Sequence, residues 1–305
     1  MSISAFFPGQ GAQYPGMGQS VYEASTAAQQ VFACASDITG QSVTKLCFES
    51  TKEELSRTIN SQIAIFTCSI AVLEALKEHG VQFDACAGFS LGEYTALAAS
   101  GILSLEDALR LVQKRGELMQ QAADQTDGCM AAVLGLQDEA VEKICAETDG
   151  TVLPVNYNCD GQLVIAGTKQ AVQAATDACH DAGARRAVPL AVSGAFHTPL
   201  MAEAAAQLRT FAAALKVHTP SIPVYSNTTA QLISVTDLPA HLEQHMISPV
   251  RWKSLVQNML ADGHSTALEI GPGKTLTGFA RRISKQLSCT PVESMESVLA
   301  AAGGM

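Results

Sequence analysis

Hydrophobic and polar positions follow two different periods along this chain. Residues 3–7 form a short apolar run that stops at Pro8-Gly9, which predicts a buried strand. Across residues 61–78 the apolar positions Ile65, Cys68, Val72, Leu73 and Leu76 recur in three- and four-residue steps, which predicts a helix. Residues 85–87 are a very short apolar stretch before Gly88, followed by a helix over 91–100. A clear helix over 104–119 opens with Ser104-Leu105-Glu106-Asp107, a Ser/Thr-x-x-Asp/Glu capping pattern. Its apolar face runs through Leu105, Ala108, Leu109, Val112 and Met119. Strands alternating with helices predict an α/β fold with a largely parallel sheet.

The middle of the chain changes rhythm. Strand patterns at 130–136, 152–158, 162–166 and 186–192 are interleaved with helical patterns at 138–147 and 169–182. Cys159-Asp160-Gly161 supplies an Asp-Gly turn between the two central strands. The order β-α-β-β-α-β is the ferredoxin-like arrangement. It predicts a small subdomain over 127–192, inserted between residues 1–126 and 193–305 of a large domain. The small-residue tail at 300–305 reads as flexible and disordered.

Composition narrows the function classes. Of 305 residues only 16% are charged and 47% are hydrophobic, which excludes intrinsic disorder. The net charge of −10 argues against sequence-independent binding of nucleic acid. The nine cysteines include no C-x-x-C pair, and their number is odd, so they read as reduced, buried thiols of a cytoplasmic protein, outside any zinc site or disulfide framework. No apolar run approaches the roughly 18 to 20 residues of a membrane span, and the N-terminus lacks the basic region of a secretory signal.

The candidate chemistry centres on Gly88-Phe89-Ser90-Leu91-Gly92, a G-x-S-x-G between a strand and a helix. In that setting the glycines permit a sharp turn that exposes the Ser90 hydroxyl at a helix N-terminus. A Gly-rich turn with a capping serine would read the same way. Of seven histidines, His197 follows a strand and begins a helix among small and aromatic residues, which suits a base; His79 and His264 sit beside glycines and read as surface caps. His241 and His245 are four apart, but His241-Leu242-Glu243-Gln244-His245 puts its glutamate in the wrong place for either zinc-protease pattern. The loops at 8–13 and 271–275 fail both nucleotide-binding fingerprints on position, although backbone N–H groups of the first could serve an oxyanion. Arg115 lies beside the apolar face of its helix. It is either a snorkelling or ion-paired arginine, or a clamp for a substrate carboxylate.

Together, six ordered motifs resemble the malonyl-CoA:acyl-carrier-protein transacylase family of fatty-acid synthesis. They are Phe7-Pro8-Gly9-Gln10-Gly11-Ala12-Gln13, Gly88-Phe89-Ser90-Leu91-Gly92-Glu93-Tyr94, Gln113-Lys114-Arg115-Gly116, Ser193-Gly194-Ala195-Phe196-His197, Ser248-Pro249-Val250-Arg251-Trp252 and Glu269-Ile270-Gly271-Pro272-Gly273-Lys274. The resemblance implies an α/β-hydrolase-like domain with a ferredoxin-like insertion. It implies Ser90 as nucleophile, His197 as base, Gln10 and Leu91 as oxyanion donors and Arg115 as the partner of the malonyl carboxylate. Phe196, beside the base, and Met119 would bound the acyl site. No cofactor or metal is implied, and the unit would be a cytoplasmic monomer.

Two departures from the family pattern stand out. Phe89 occupies a position that is usually histidine, which implies altered tuning of Ser90 without loss of activity. His245 replaces a Gln or Asn whose carbonyl orients the base; a shift of one residue would put Gln244 there instead. Arg281, Arg282 and Lys285, with Lys274 nearby, form a candidate patch for an acidic carrier protein, or an ordinary solvated helix face. The alternatives are a transferase serving polyketide synthesis, a serine hydrolase acting on carrier-bound acyl groups, and a non-catalytic carrier-binding module.

Overall fold

A computed structural model describes residues 2–192 and 194–304. Its strands, in chain order, are β1 (Ser4–Phe7), β2 (Ala85–Gly88), β3 (Gly128–Leu134), β4 (Val152–Cys159), β5 (Gln162–Thr168), β6 (Arg186–Pro189), β7 (Val224–Tyr225), β8 (Thr266–Ile270) and β9 (Ser288–Val292). Five of them form a parallel sheet in the order β7-β2-β1-β8-β9. Every residue of β1 and β2 is buried, as strands must be when helices cover both faces of a parallel sheet. Phe7 pairs with Gly88, so the loops that leave β1 and β2 emerge side by side at the C-terminal edge of the sheet.

The remaining four strands form an antiparallel sheet in the order β4-β5-β3-β6. The helices Asp138–Glu147 and Lys169–Asp181 pack against it, which is the ferredoxin-like arrangement expected from the middle of the chain. Two contacts tie the small sheet and its neighbouring helix and turn to residues 250–253 of the large part. Val250 exchanges backbone hydrogen bonds with β4: its N–H donates to Val155 O at 2.8 Å, and Tyr157 N–H donates to its carbonyl at 2.9 Å. Lys253 Nζ reaches Asp138 at 2.5 Å and Asp160 at 3.4 Å.

Several boundaries differ from those read in the sequence. The helix expected over 104–119 runs Leu105–Gln125, because its apolar face continues through Ala123. Ser104 Oγ accepts the Asp107 N–H at its start, as the capping pattern requires. The strand expected over 186–192 stops at Pro189, where a tight turn bonds Val192 N–H to Leu190 O. Ser193 lies outside the described residues. The tail expected to be disordered is instead a helix, Met295–Gly303, started by a reciprocal Ser294–Ser297 capping box and anchored by the buried Val298; Met305 lies outside the described residues. The helix Thr58–Glu78 also corrects an expectation. By length and composition it would pass for a membrane-crossing segment, yet 83% of that window is buried inside the fold. Six of the cysteines are buried and three half-buried, all with free thiols.

Candidate active site

The nucleophile turn is built from backbone contact. A Cβ on Gly88 would fall 1.8 Å from the Gly92 carbonyl carbon, and one on Gly92 would fall 2.0 Å from Phe7 O. Only hydrogen fits at both positions, so strand, turn and helix Leu91–Ala99 can close on one another. Ser90 sits between them at φ 51°, ψ −102°, a conformation that costs a residue with a Cβ ~1–3 kcal/mol. Neighbouring N–H groups are satisfied: Phe89 N–H donates to Phe7 O, Gly92 N–H to Phe89 O and Glu93 N–H to Ser90 O. Ser90 N–H is taken by the Asn227 side chain at 2.7 Å.

His197 is brought to Ser90 from the segment after β6. Its Nε2 lies 2.8 Å from Ser90 Oγ, while its Nδ1 faces two carbonyls, His245 O at 3.0 Å and Ser248 O at 3.1 Å. Carbonyls only accept, so they fix the Nδ1–H tautomer and leave Nε2 as the proton acceptor toward Ser90. His197 is 4% exposed. Burial, then the positive charge of Arg115, pull its pKa down to about 4 against the two carbonyl hydrogen bonds, so the imidazole is neutral and receptive near pH 7. The His245 ring is wholly buried, burial holds it well below the usual histidine range, and it packs edge-on against the His197 ring at 5.6 Å. Of the two expected carbonyls, that of His245 is the one within hydrogen-bond distance of His197, and Ser248 O is a second acceptor with no signal in the local sequence.

Arg115 is 1% exposed, on the helix Leu105–Gln125. Its Nη2 donates to Ser90 Oγ at 3.1 Å, its Nη1 bonds Gln62 Oε1, and its guanidinium carbon lies 4.7 Å above the Tyr94 ring. Its Nε is buried with no hydrogen-bond partner among the described residues, and no carboxylate there forms a salt bridge with it. Burial lowers its pKa, and burial pushes the Tyr94 phenol up to about 12, so the cation faces a neutral ring. A buried guanidinium without a carboxylate partner among the described residues is a costly arrangement that an incoming anion would relieve.

The other expected residues fall into three groups. Gln10 is tied into the centre: its side chain bonds Thr58 at 3.3 Å and Gln62 at 3.2 Å, and Gln62 in turn holds Arg115. A Cβ on Gly9 would meet Phe89 O at 2.4 Å, so the Gln10 loop presses on the nucleophile turn. Leu91 opens the helix directly after Ser90, and among the described hydrogen bonds its N–H has no protein acceptor. Met119 is buried one helical turn beyond Arg115, and Phe196 is buried beside His197. The Phe196 ring packs toward Gly194, itself close to Ala123 on the arginine helix. Arg281, Arg282, Lys285 and Lys274 are exposed, apart from this cluster. Arg282 donates to Asp160 O at 2.6 Å and to Gln162 Oε1 at 3.0 Å, so it ties the helix Thr275–Ile283 to the β4–β5 turn.

Sequence reasoning missed Gln62, Asn227 and the role of Glu93. Glu93 is part of the nucleophile motif, but a helical glutamate normally reads as surface; here it is fully buried. Asn227 lies in Ser226-Asn227-Thr228-Thr229, which reads as an ordinary turn. Phe89 points away from Ser90 chemistry, packing edge-on against Trp252 at 5.8 Å and near Phe279 at 6.0 Å. The nucleotide-like loop at 271–275 is occupied by the chain itself: buried Glu269 accepts the N–H groups of Leu276 and Thr277 at 2.9 and 2.7 Å.

Known proteins resemble this chain over nearly its whole length. A model of the acyl transferase domain family matches residues 6–301. The chain is 41% identical over 300 residues to the malonyl CoA-acyl carrier protein transacylase of Bacillus subtilis, covering 97% of this chain and 95% of that protein. It is 38% identical to the Escherichia coli K12 protein of the same description, over 97% of each. It is similar in structure to a malonyl-transacylase solved in complex with a type II PKS acyl-carrier protein, at a TM-score of 0.97 and 38% identity over 100% of both chains. For the acyl carrier protein S-malonyltransferase of Vibrio cholerae the TM-score is 0.94 at 40% identity, covering 99% of this chain and 100% of that one.

Proposed function

This chain belongs to the acyl transferase domain family, and we propose that it is a cytoplasmic enzyme that moves a malonyl group from malonyl-CoA to the phosphopantetheine thiol of an acyl carrier protein. The observation that carries the substrate choice is Arg115: a buried cation without a carboxylate partner among the described residues, 3.1 Å from the nucleophile oxygen. A malonyl thioester brings the missing carboxylate at the distance of one methylene from the reacting carbonyl. A neutral acyl group leaves the charge unpaired, which is unfavourable in a buried site.

The reaction runs in two half-steps through Ser90. Ser90 Oγ attacks the thioester carbonyl while its proton passes to His197 Nε2. The N–H groups of Gln10 and Leu91 receive the oxyanion. Collapse breaks the carbon–sulfur bond, and the CoA thiolate leaves with the proton from His197. The carrier thiol then repeats the sequence in reverse, giving its proton to His197 as it attacks the Ser90 ester. Thioester is exchanged for thioester, so no cofactor, metal or energy source is required. Phe196 and Met119 bound the acyl site in this reading, with residues 127–192 as its small subdomain. Carrier transfer is common to the relatives whatever pathway the carrier serves.

Radiolabelled malonyl-CoA tests the reading. The wild-type chain should retain acid-stable label and pass it to carrier protein. Persistence of covalent label on a Ser90→Ala variant overturns the assignment, and release of malonate to water in place of transfer identifies a hydrolase.

A further inference from the structure

The pair His241 and His245, four residues apart on helix Leu238–Ile247, is unexplained by a metal and unused by the proposed reaction beyond the His245 carbonyl. The His241 ring points back to the nucleophile helix, where its Nε2 lies 2.6 Å from Glu93 Oε1. Glu93 is 0% exposed, so its carboxylate depends on that partner. The other oxygen, Oε2, accepts Asn227 N–H at 2.5 Å and lies 3.8 Å from His245 Nε2, beyond hydrogen-bond reach.

Asn227 is equally buried and fully engaged. Its Oδ1 accepts Ser90 N–H at 2.7 Å, its Nδ2 donates to Gly88 O at 2.6 Å, and its carbonyl accepts Arg251 N–H at 2.9 Å. One amide side chain therefore grips the strained turn on both sides of Phe89, and Glu93 fixes the backbone that carries the amide. At the other end, the helix holding His241 also supplies the His245 carbonyl that aims His197.

We propose that the hydrogen-bonded Glu93–His241 pair is a positioning device that sets the nucleophile against its base. Through Glu93 and Asn227 it holds Ser90. Through helix Leu238–Ile247 it holds the carbonyl that aims His197. The 2.8 Å Ser90–His197 contact is the quantity it controls. Neither residue touches the acyl group, so its loss changes the rate of Ser90 attack and leaves substrate affinity in place. A displacement near 1 Å between reacting groups costs roughly 100-fold, which sets the scale of the effect.

The inference rests on Ser90 and His197 being nucleophile and base, and the experiment separates the two ideas. Single-turnover acylation by malonyl-CoA and labelling by a fluorophosphonate serine probe are measured for the wild type and for Glu93→Ala, Glu93→Gln, His241→Ala and His241→Gln, with Ser90→Ala as the labelling control. Both alanine variants should slow acylation and labelling by about 10- to 100-fold, with the malonyl-CoA KM held within about two-fold. The double alanine variant should be no slower than the slower single. The glutamine variants, which retain hydrogen bonding across the pair, should recover most of the rate. His241 is partly exposed, so its two variants carry the test if Glu93→Ala fails to fold. Loss confined to KM, alanine rates within about two-fold of wild type despite a lowered melting temperature, or additive losses in the double variant overturn the proposal. A wild-type chain that labels at Ser90 yet transfers no malonyl group overturns the transferase reading instead, and the probe rates still judge the Glu93–His241 pair.

Discussion

Replacing Arg115 by Met preserves most of the buried volume and removes the charge, and two independent quantities should move. The first is acyl selectivity. Truncating one partner of a buried charge pair costs ~2–5 kcal/mol, or roughly 30- to several-thousand-fold in malonyl kcat/KM. A neutral acetyl thioester makes no such pair and should gain slightly, because it no longer strands a guanidinium 3.1 Å from Ser90 Oγ. The second is the base. Burial, then Arg115, depress His197 to about 4. The acidic limb of kcat/KM reports the free enzyme, so with an acetyl thioester, whose acyl group does not titrate, wild-type activity should hold from pH 7 downward and halve near pH 4. In Arg115→Met the limb should shift to higher pH, yet stay below the ordinary 6.5 because burial remains. Kinetics of both thioesters across pH 3.5–8 decide it. A malonyl-to-acetyl ratio changed by less than about three-fold, or a limb that stays in place or moves down, refutes the argument from an unpaired buried cation.

The same histidine makes stability depend on pH. Below pH 6.5 the unfolded chain takes up a proton that folded His197 refuses, so its stabilising contribution is complete above 6.5 and is lost as pH falls toward about 4, by ~3 kcal/mol. Urea unfolding should show wild type losing about that much more than His197→Gln over this range, and equal losses would contradict it. Gly88→Ala places a methyl 1.8 Å from the Gly92 carbonyl carbon and should cost ~3 kcal/mol or more; an unchanged melting temperature would show that the turn tolerates what its contacts forbid. Reversing Arg281 and Lys285 to Glu should raise the carrier-protein KM by about 3- to 10-fold and leave malonyl-CoA acylation alone; Arg282 is less informative because it holds the β4–β5 turn.

What the sequence revealed, and what it hid, follows from the range of each interaction. Helix Asp138–Glu147 is bounded as its local pattern says, because its periodicity and neighbouring turns lie within a few residues. The Ser90 turn was legible because its glycines are a local steric need. Helix Thr58–Glu78 was harder: buried on nearly every side, it carries too little amphipathic contrast to mark its start. The two-residue strand Val224–Tyr225 exists through its pairing with β2 and a bridge to Leu232, and has no periodicity of its own. The same holds within the site. Ser90, His197 and Arg115 have chemically distinctive side chains in ordered motifs. Ser248 contributes only a carbonyl, and Asn227 a common amide 137 residues from its partner Ser90. Neither a main-chain acceptor nor so distant a contact leaves a trace in local pattern.

The seam between the two sheets has a mechanical consequence. Val250, which is stitched to β4 by two backbone hydrogen bonds, lies two residues from Ser248, whose carbonyl aims the base. So short a stretch of chain, with Pro249 in its middle, behaves as a stiff tie rod. A shift of the small sheet would therefore be passed along this stretch to one of the two carbonyls that hold the His197 ring. The aim of the base is thus tied to the docking of the small sheet on the segment that carries Ser248.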